Sequence, residues 1–272
     1  MTIRDNVEHK QSWEEYLQSN MNPTKVITWD YRHLDKLETF WMSDVHWGHK
    51  ACNKELVFQN LERIDKRQMP FADLGDLIEN SNKTSIGSGM YDQNVIPDVQ
   101  LEEAVNLYTP IKHLLKVMQP GNHEIRSYNG GAINLTRIMS KMLGVPHGGA
   151  GVIHYIMVGK QRYVGYSSHG ASGATTVGGK LTALLRLEAI MPGADFYIQG
   201  HTHETLFQAV ENFYFDKKTR TIKEQKKYFI NNGAYLNYWG TYGQVKAWRP
   251  TNLGSAQINF SGEQKQIEVT FT

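Results

Sequence analysis

Five short polar segments constrain this chain more than any other feature. Each follows a run that reads as a strand, and each carries histidine, aspartate or asparagine on the turn: SDVHWGH from Ser43, LGDLIEN from Leu74, PGNHE from Pro120, SSHG from Ser167 and QGHTHE from Gln199. Side chains set at strand ends on several loops converge above a sheet edge, where open α/β sheets place their sites. Asp44 and His46 lie two apart on what reads as an extended segment, as do His201 and His203, so each pair can face one way. Glycines at 75, 121, 170 and 200 allow tight turns and close backbone approach between these segments.

The pattern around them supports that layout. LETFWM reads as a buried strand through Leu37, Phe40, Trp41 and Met42, and 51–67 has helical spacing with Leu56, Asn60, Leu61 and Ile64 on one side. MPFADL reads as a short strand in which Asp73 is unexpected, and 80–97 as a long polar loop. Asp98 is placed to cap a helix that Pro110 divides or kinks, followed by a brief strand at Val117 and Met118. A helix over 134–143 stops at Gly144, and VIHYIMV with RYVGYSS makes a hairpin. A helix over 179–190 precedes the strand ADFYIQ, and NFYF, KYFIN, SAQINF and QIEVTF complete a strand-rich end. Strands alternating with helices imply an α/β sandwich with mixed sheets between helical layers. Residues 1–36 read as an N-terminal extension, with a short helix through Trp13, Tyr16 and Leu17, and 37–272 as one domain.

Composition excludes more than it assigns. The 272 residues are 40% apolar and 21% charged, ordinary for a globular protein. No apolar run approaches the roughly 18 residues that span a bilayer, and the polar start lacks a secretory h-region. The single cysteine, Cys52, forbids an intrachain disulfide and fits a reducing, cytoplasmic setting. A formal charge of +2 is too small to mark a dedicated nucleic-acid binder. Eleven histidines are the oddity, and with one cysteine they favour imidazole and carboxylate metal sites over thiolate ones.

The residue types fit two divalent ions. Ions roughly 3.5–4 Å apart need a bridging anion, and Asp76, alone on its turn, suits that place. Imidazoles and an asparagine carbonyl fill other positions without a pile-up of negative charge that would repel a phosphate. A water shared between such ions is a nucleophile near neutral pH.

The ordered set D-x-H, G-D, G-N-H-E, H, G-H-x-H resembles the calcineurin-like metallophosphoesterase superfamily, over residues 40–204. The resemblance implies a four-layer α/β/β/α sandwich with two mixed sheets. It implies that Asp44, His46 and His203 hold one ion, that Asn122, His169 and His201 hold the other, and that Asp76 bridges. His123 would be the unligated catalytic imidazole. The N/O ligands suit manganese first, and iron, zinc, nickel or cobalt as well. His9, His33, His113, His147 and His154 read as ordinary surface or core residues.

Within the superfamily, GDLIEN and QPGNHE lack the arginines typical of protein phosphatases, and SDVHWGH is similar to nuclease and phosphodiesterase branches. The set is also similar to phage- and prophage-encoded members, for which the setting is the host cytoplasm. Arg126 and His49 are the candidate substrate contacts. HGASGATTVGGK fails the Walker test, with Ala174 for a required glycine and Leu181 after Lys180, and reads as a flexible loop near the site. Basic residues at Lys217, Lys218, Arg220, Lys223, Lys226 and Lys227 read as a solvated hairpin tip ahead of a nucleic-acid track. Tyr235, Tyr238, Trp239 and Tyr242 read as core or a subunit contact ahead of a base-stacking cluster. The expectation is a phosphodiesterase acting on nucleic acid or a nucleotide, with a phosphomonoesterase as alternative and a metal-bound scaffold third; oligomeric state is left open.

Overall fold

The structure, a computed structural model, describes residues 25–272 apart from 84, 86–88, 246, 248 and 251. The expected helix at Trp13, Tyr16 and Leu17 lies outside the described residues.

Two mixed sheets pack face to face. The first has six strands in the order β1 (Lys25–Tyr31), β5 (Gly151–Val158), β6 (Gln161–Ser168), β7 (Phe196–Gln199), β9 (Thr221–Asn231) and β8 (Leu206–Asp216). The second has five: β11 (Ile267–Phe271), β10 (Ala256–Ser261), β2 (Lys36–Met42), β3 (Phe71–Asp73) and β4 (Leu115–Met118). Alternation along the strands sorts side chains to opposite faces. On β2, Leu37 and Trp41 enter the core between the sheets, with Phe196, Ile198 and Ile230 from the facing sheet. Phe40 and Met42 point the other way, under α1 (Lys54–Arg67), α2 (Pro97–Tyr108) and α4 (Leu135–Leu143). Tyr197 and Phe229 face outward on the six-stranded sheet, covered by Leu184 of α5 (Val177–Leu185) and Leu187 of α6 (Leu187–Ile190). The layers are therefore α/β/β/α, as expected.

Four local readings are corrected. Lys25–Tyr31 pairs in parallel with β5, so residues expected in an extension are sheet residues; Trp29 is the one buried side chain of this edge strand, which hid its pattern. The first helix begins at Lys54, capped by the Asn53 side chain, three residues later than its spacing suggested. Asp98 does not cap α2; Ile96 is the cap residue and Pro97 takes the first helical position, where a missing N–H costs nothing. The GNHE turn opens a further helix, α3 (Asn122–Gly131), which periodicity missed because its buried residue is Glu124.

Candidate metal centre

The five polar segments leave the C-terminal ends of five strands. β2, β3 and β4 are parallel neighbours in one sheet, and β6 and β7 in the other, so their C-terminal ends fall together. Backbone bonds knit the turns: Asp44 N–H donates to Gly75 O (3.0 Å), His46 N–H to Asp76 O (2.9 Å) and Gly200 N–H to His169 O (3.1 Å). Gly121 and Gly200 are required for close approach, since a Cβ on either would run into Asp76 or into Ser43 and Asp44.

The ligand candidates do not sit on extended backbone. Asp44 (φ 55°), His46 (51°), Asp76 (54°), His201 (66°) and His203 (51°) are all left-handed. For a residue with a side chain that conformation costs about 1–2 kcal/mol, and such strain concentrates at functional sites. The spacing of two still turns each pair to one side.

All seven expected ligands meet. His46 Nε2 and His203 Nε2 are 3.1 Å apart, and Asp44 Oδ1 is 3.2 Å from the latter. On the other side, Asn122 Oδ1 is 3.0 Å from His169 Nε2 and 2.7 Å from His201 Nδ1. Asp76 Oδ2 stands between the groups, 3.2 Å from His169 Nε2 and 4.0 Å from His46 Nε2. Two donors held at about 2.1 Å from one ion at right angles are about 3 Å apart, so these spacings fit a coordination sphere. Ring orientation fits too: His169 Nδ1 lies 2.9 Å from Leu74 O, which turns Nε2 toward Asp76, where a metal would take the place of the ring proton.

Burial alone would push the Asp44 carboxyl up; hydrogen bonding and charge from His203 overrule it and hold the group at about 2. Burial would likewise favour neutral His169, but Asp76 and Asp44 raise it to about 10. His46 is driven down to about 4 by burial and the neighbouring His123, a neutral imidazole suited to ligation. Acids and imidazoles gathered this tightly fit cation binding.

Two carboxylates that spacing did not single out complete the site. Glu79 Oε2 is 3.1 Å from His46 Nδ1 and 3.3 Å from His123 Nδ1. Glu124 accepts from Gly121 N–H (2.9 Å), Asp76 N–H (3.0 Å) and Ile78 N–H (3.1 Å), closing the cap of α3 and fastening the Asp76 turn to it. The capping-box position was the sequence signal for Glu124; Glu79 had only its place three residues after Asp76.

The remaining candidates divide. His123 joins the site, with Nδ1 2.7 Å from Glu79 O and Nε2 3.8 Å from Asp76 Oδ2. Arg126 joins as well: Nη1 donates to Glu79 O (3.1 Å), and its terminal nitrogens lie 3.0 and 2.8 Å from the two ring nitrogens of His123. His49 belongs to none of the ligand groups, and its Nδ1 accepts from Ala51 N–H (2.9 Å). Lys180 is buried against Glu204 at 3.2 Å, next to His203, so it secures the loop rather than pointing at solvent. Tyr235 is core, whereas Trp239 is 77% exposed.

Fold and site together define a class: a two-sheet α/β sandwich whose strand-end loops gather histidine, aspartate and asparagine into a candidate metal centre. No protein-family model and no curated protein matches the chain. Among solved structures it is similar to YfcE, a phosphoesterase from E. coli, at 12% identity and a TM-score of 0.43 over 86% of this chain and 99% of that one. A metallophosphoesterase from Sphaerobacter thermophilus matches at 12% and 0.44 over 87% and 88%. GAP50, the anchor in the inner membrane complex of Plasmodium, matches at 11% and 0.39 over 87% and 84%. Likenesses this distant leave function to be read from the chain's own residues.

Proposed function

We propose that this chain is a dinuclear-metal phosphoesterase that hydrolyses phosphodiesters of the nucleic-acid or nucleotide type. The observation that carries the reading is Asp76 Oδ2 set between two imidazole groups, His46 with His203 and His169 with His201. Asp44, His46 and His203 would hold one divalent ion and Asn122, His169 and His201 the other, with Asp76 shared; manganese is our first choice. Bound there, such ions supply a nucleophilic water near neutral pH and charge stabilisation for the phosphoryl oxygens.

The protein's own groups then divide the work. Glu79 and its carbonyl fix the Nδ1 side of His123, turning Nε2 toward Asp76. Burial and Arg126 oppose charge on His123, but Asp76 and Glu79 outweigh them and raise its pKa, which favours the protonated ring that would donate to the departing oxygen. Arg126, against the same ring, supplies a fixed cation for a phosphoryl oxygen. That cation also favours the doubly charged group of a monoester, which keeps phosphomonoesterase activity as a second reading.

Turnover of bis-p-nitrophenyl phosphate and of the monoester, with each of manganese, iron, zinc, nickel and cobalt supplied, tests the proposal. Faster diester cleavage that disappears in Asp76→Asn is expected. Full activity in Asp76→Asn would overturn the shared-ligand reading, and no turnover with any metal would favour the scaffold.

A further inference from the structure

Strand β8 ends one edge of the six-stranded sheet, and among the described residues its outer side has no ladder partner. Its eleven residues pair with β9 without a bulge, contain no proline, and carry one charge, Glu211, before Asp216. Natural edges are usually blunted by such features, and this one is not. One face of the ribbon carries Phe207, Phe213 and Phe215, 46%, 70% and 60% exposed, with Ile222 at 74% opposite Phe215. These side chains leave on the order of 400 Å² of apolar surface in water, about half of what each partner buries in a standard interface. The open edge and Tyr214 contribute to the remainder.

We propose that two copies of the chain pair through antiparallel β8 strands about a twofold axis at Asn212, and that each then places its basic hairpin turn at the rim of the other's metal centre. The register follows from the side chains. About Asn212, Ala209 meets Phe215, Val210 meets Tyr214, Gln208 meets Asp216 and Glu211 meets Phe213. An axis at Glu211 would oppose two carboxylates directly, and one at Phe213 would keep Glu211 on a phenylalanine and add Val210 on Asp216, so the Asn212 axis costs least. The consequence for the site follows from length. β8 begins at Leu206, three residues beyond His203, and spans about 33 Å before the turn. In an antiparallel pair the end of one strand lies beside the start of the other, so Lys217, Lys218 and Arg220 fall beside the partner copy's first β8 residues. Lys223, Lys226 and Lys227 pair with Asp216, Glu211 and Glu188, while those three turn residues have no ion pair among the described residues. They are placed to meet a substrate phosphate in a site whose GDLIEN and QPGNHE segments supply no arginine. The role of these cations rests on the phosphoesterase reading; the strand pairing does not.

Light scattering should return twice the 31.1 kDa chain mass. Phe213→Ser with Phe215→Ser should give a folded monomer with unchanged circular dichroism. Asn212→Cys should form a disulfide-linked dimer on mild oxidation, with little background because burial pushes the Cys52 thiol up to about 12. Mixing Asp76→Asn, which has a dead centre and an intact turn, with a chain changed at Lys217→Glu, Lys218→Glu and Arg220→Glu should restore activity several-fold above the sum of the two. A monomeric native chain, a serine variant that stays dimeric, no cross-link at 212, a mixture no better than its parts, or a ribbon that binds nucleic acid as a monomer would each overturn the proposal. A dimer cross-linked at 212 that hydrolyses no ester would instead sink the phosphoesterase reading and leave the pairing standing.

Discussion

Glu79 touches two imidazoles at once, and that makes it the most informative single residue. With His46 Nδ1 at 3.1 Å and His123 Nδ1 at 3.3 Å, one carboxylate orients a ligand and the candidate acid together. Changing such an outer partner typically lowers metal affinity or activity by about 10–100-fold. We expect Glu79→Gln to lower kcat within that range and to weaken metal uptake, measured by titration calorimetry; an unchanged kcat would deny it both roles. His123→Asn separates the functions. It should keep both metals by elemental analysis while kcat falls by about 10²–10⁴-fold, and loss of one metal would make His123 a ligand instead. The convergence of the seven candidate residues was legible because metal chemistry restricts residue type and each sits beside a glycine or a second candidate in a short motif. Glu79 was not, because an acid three residues after Asp76 looks like any surface glutamate until the turn folds His46 against it. His49, the candidate substrate contact, stands outside the ligand groups although it lies three residues from His46.

Asp73 on β3 was the anomaly of its strand, and the structure gives it a physical account. Its Oδ2 accepts from Tyr108 OH (2.6 Å) and its Oδ1 from Gly75 N–H (2.9 Å), so it joins α2 to the turn that carries Asp76. Burial raises its pKa from 3.8 to about 7 despite those donors. The folded chain therefore holds this proton more tightly than the unfolded chain does. The stability it contributes is whole below about pH 4 and is lost as pH rises through 7. Asp73→Asn should flatten that decline: the difference in urea midpoint between variant and native chain should move in the variant's favour from pH 4 to 7, and a constant difference would refute the assignment. Elements with apolar stripes were read correctly from sequence, such as the hairpin of β5 and β6 and the helix that Gly144 stops. β1 and α3 were not, because one buries a single tryptophan and the other a glutamate, and periodicity reports only apolar faces.

At the scale of the molecule, the two-sheet core fixes the strand ends, and the turns beyond them hold five candidate ligands, Asp44, His46, Asp76, His201 and His203, in left-handed backbone beside buried Glu79. Without cations that arrangement stores backbone strain; in the proposed function, bound cations would turn the same contacts into coordination. Divalent ions should therefore act as stabilisers that bind the folded chain alone. At a concentration about 100 times the dissociation constant the gain is about 2.7 kcal/mol. In a domain of this size, about 1 kcal/mol moves Tm by about 2–4 °C, so saturating manganese should raise Tm by about 5–10 °C over the chelated protein. Asp76→Asn sharpens the test, because it removes one charge and the shared ligand together. In chelator the variant should melt below the native chain, since, against burial, the imidazoles around Asp76, His169 first among them, hold its carboxyl well below the usual range and lose that charge partner. In saturating manganese the gap should widen, since one donor no longer serves both sides. Calorimetry of both proteins in both conditions reads the widening directly: parallel shifts would mean that Asp76 takes no part in binding, and an absence of any shift would mean that these seven residues do not form a metal centre.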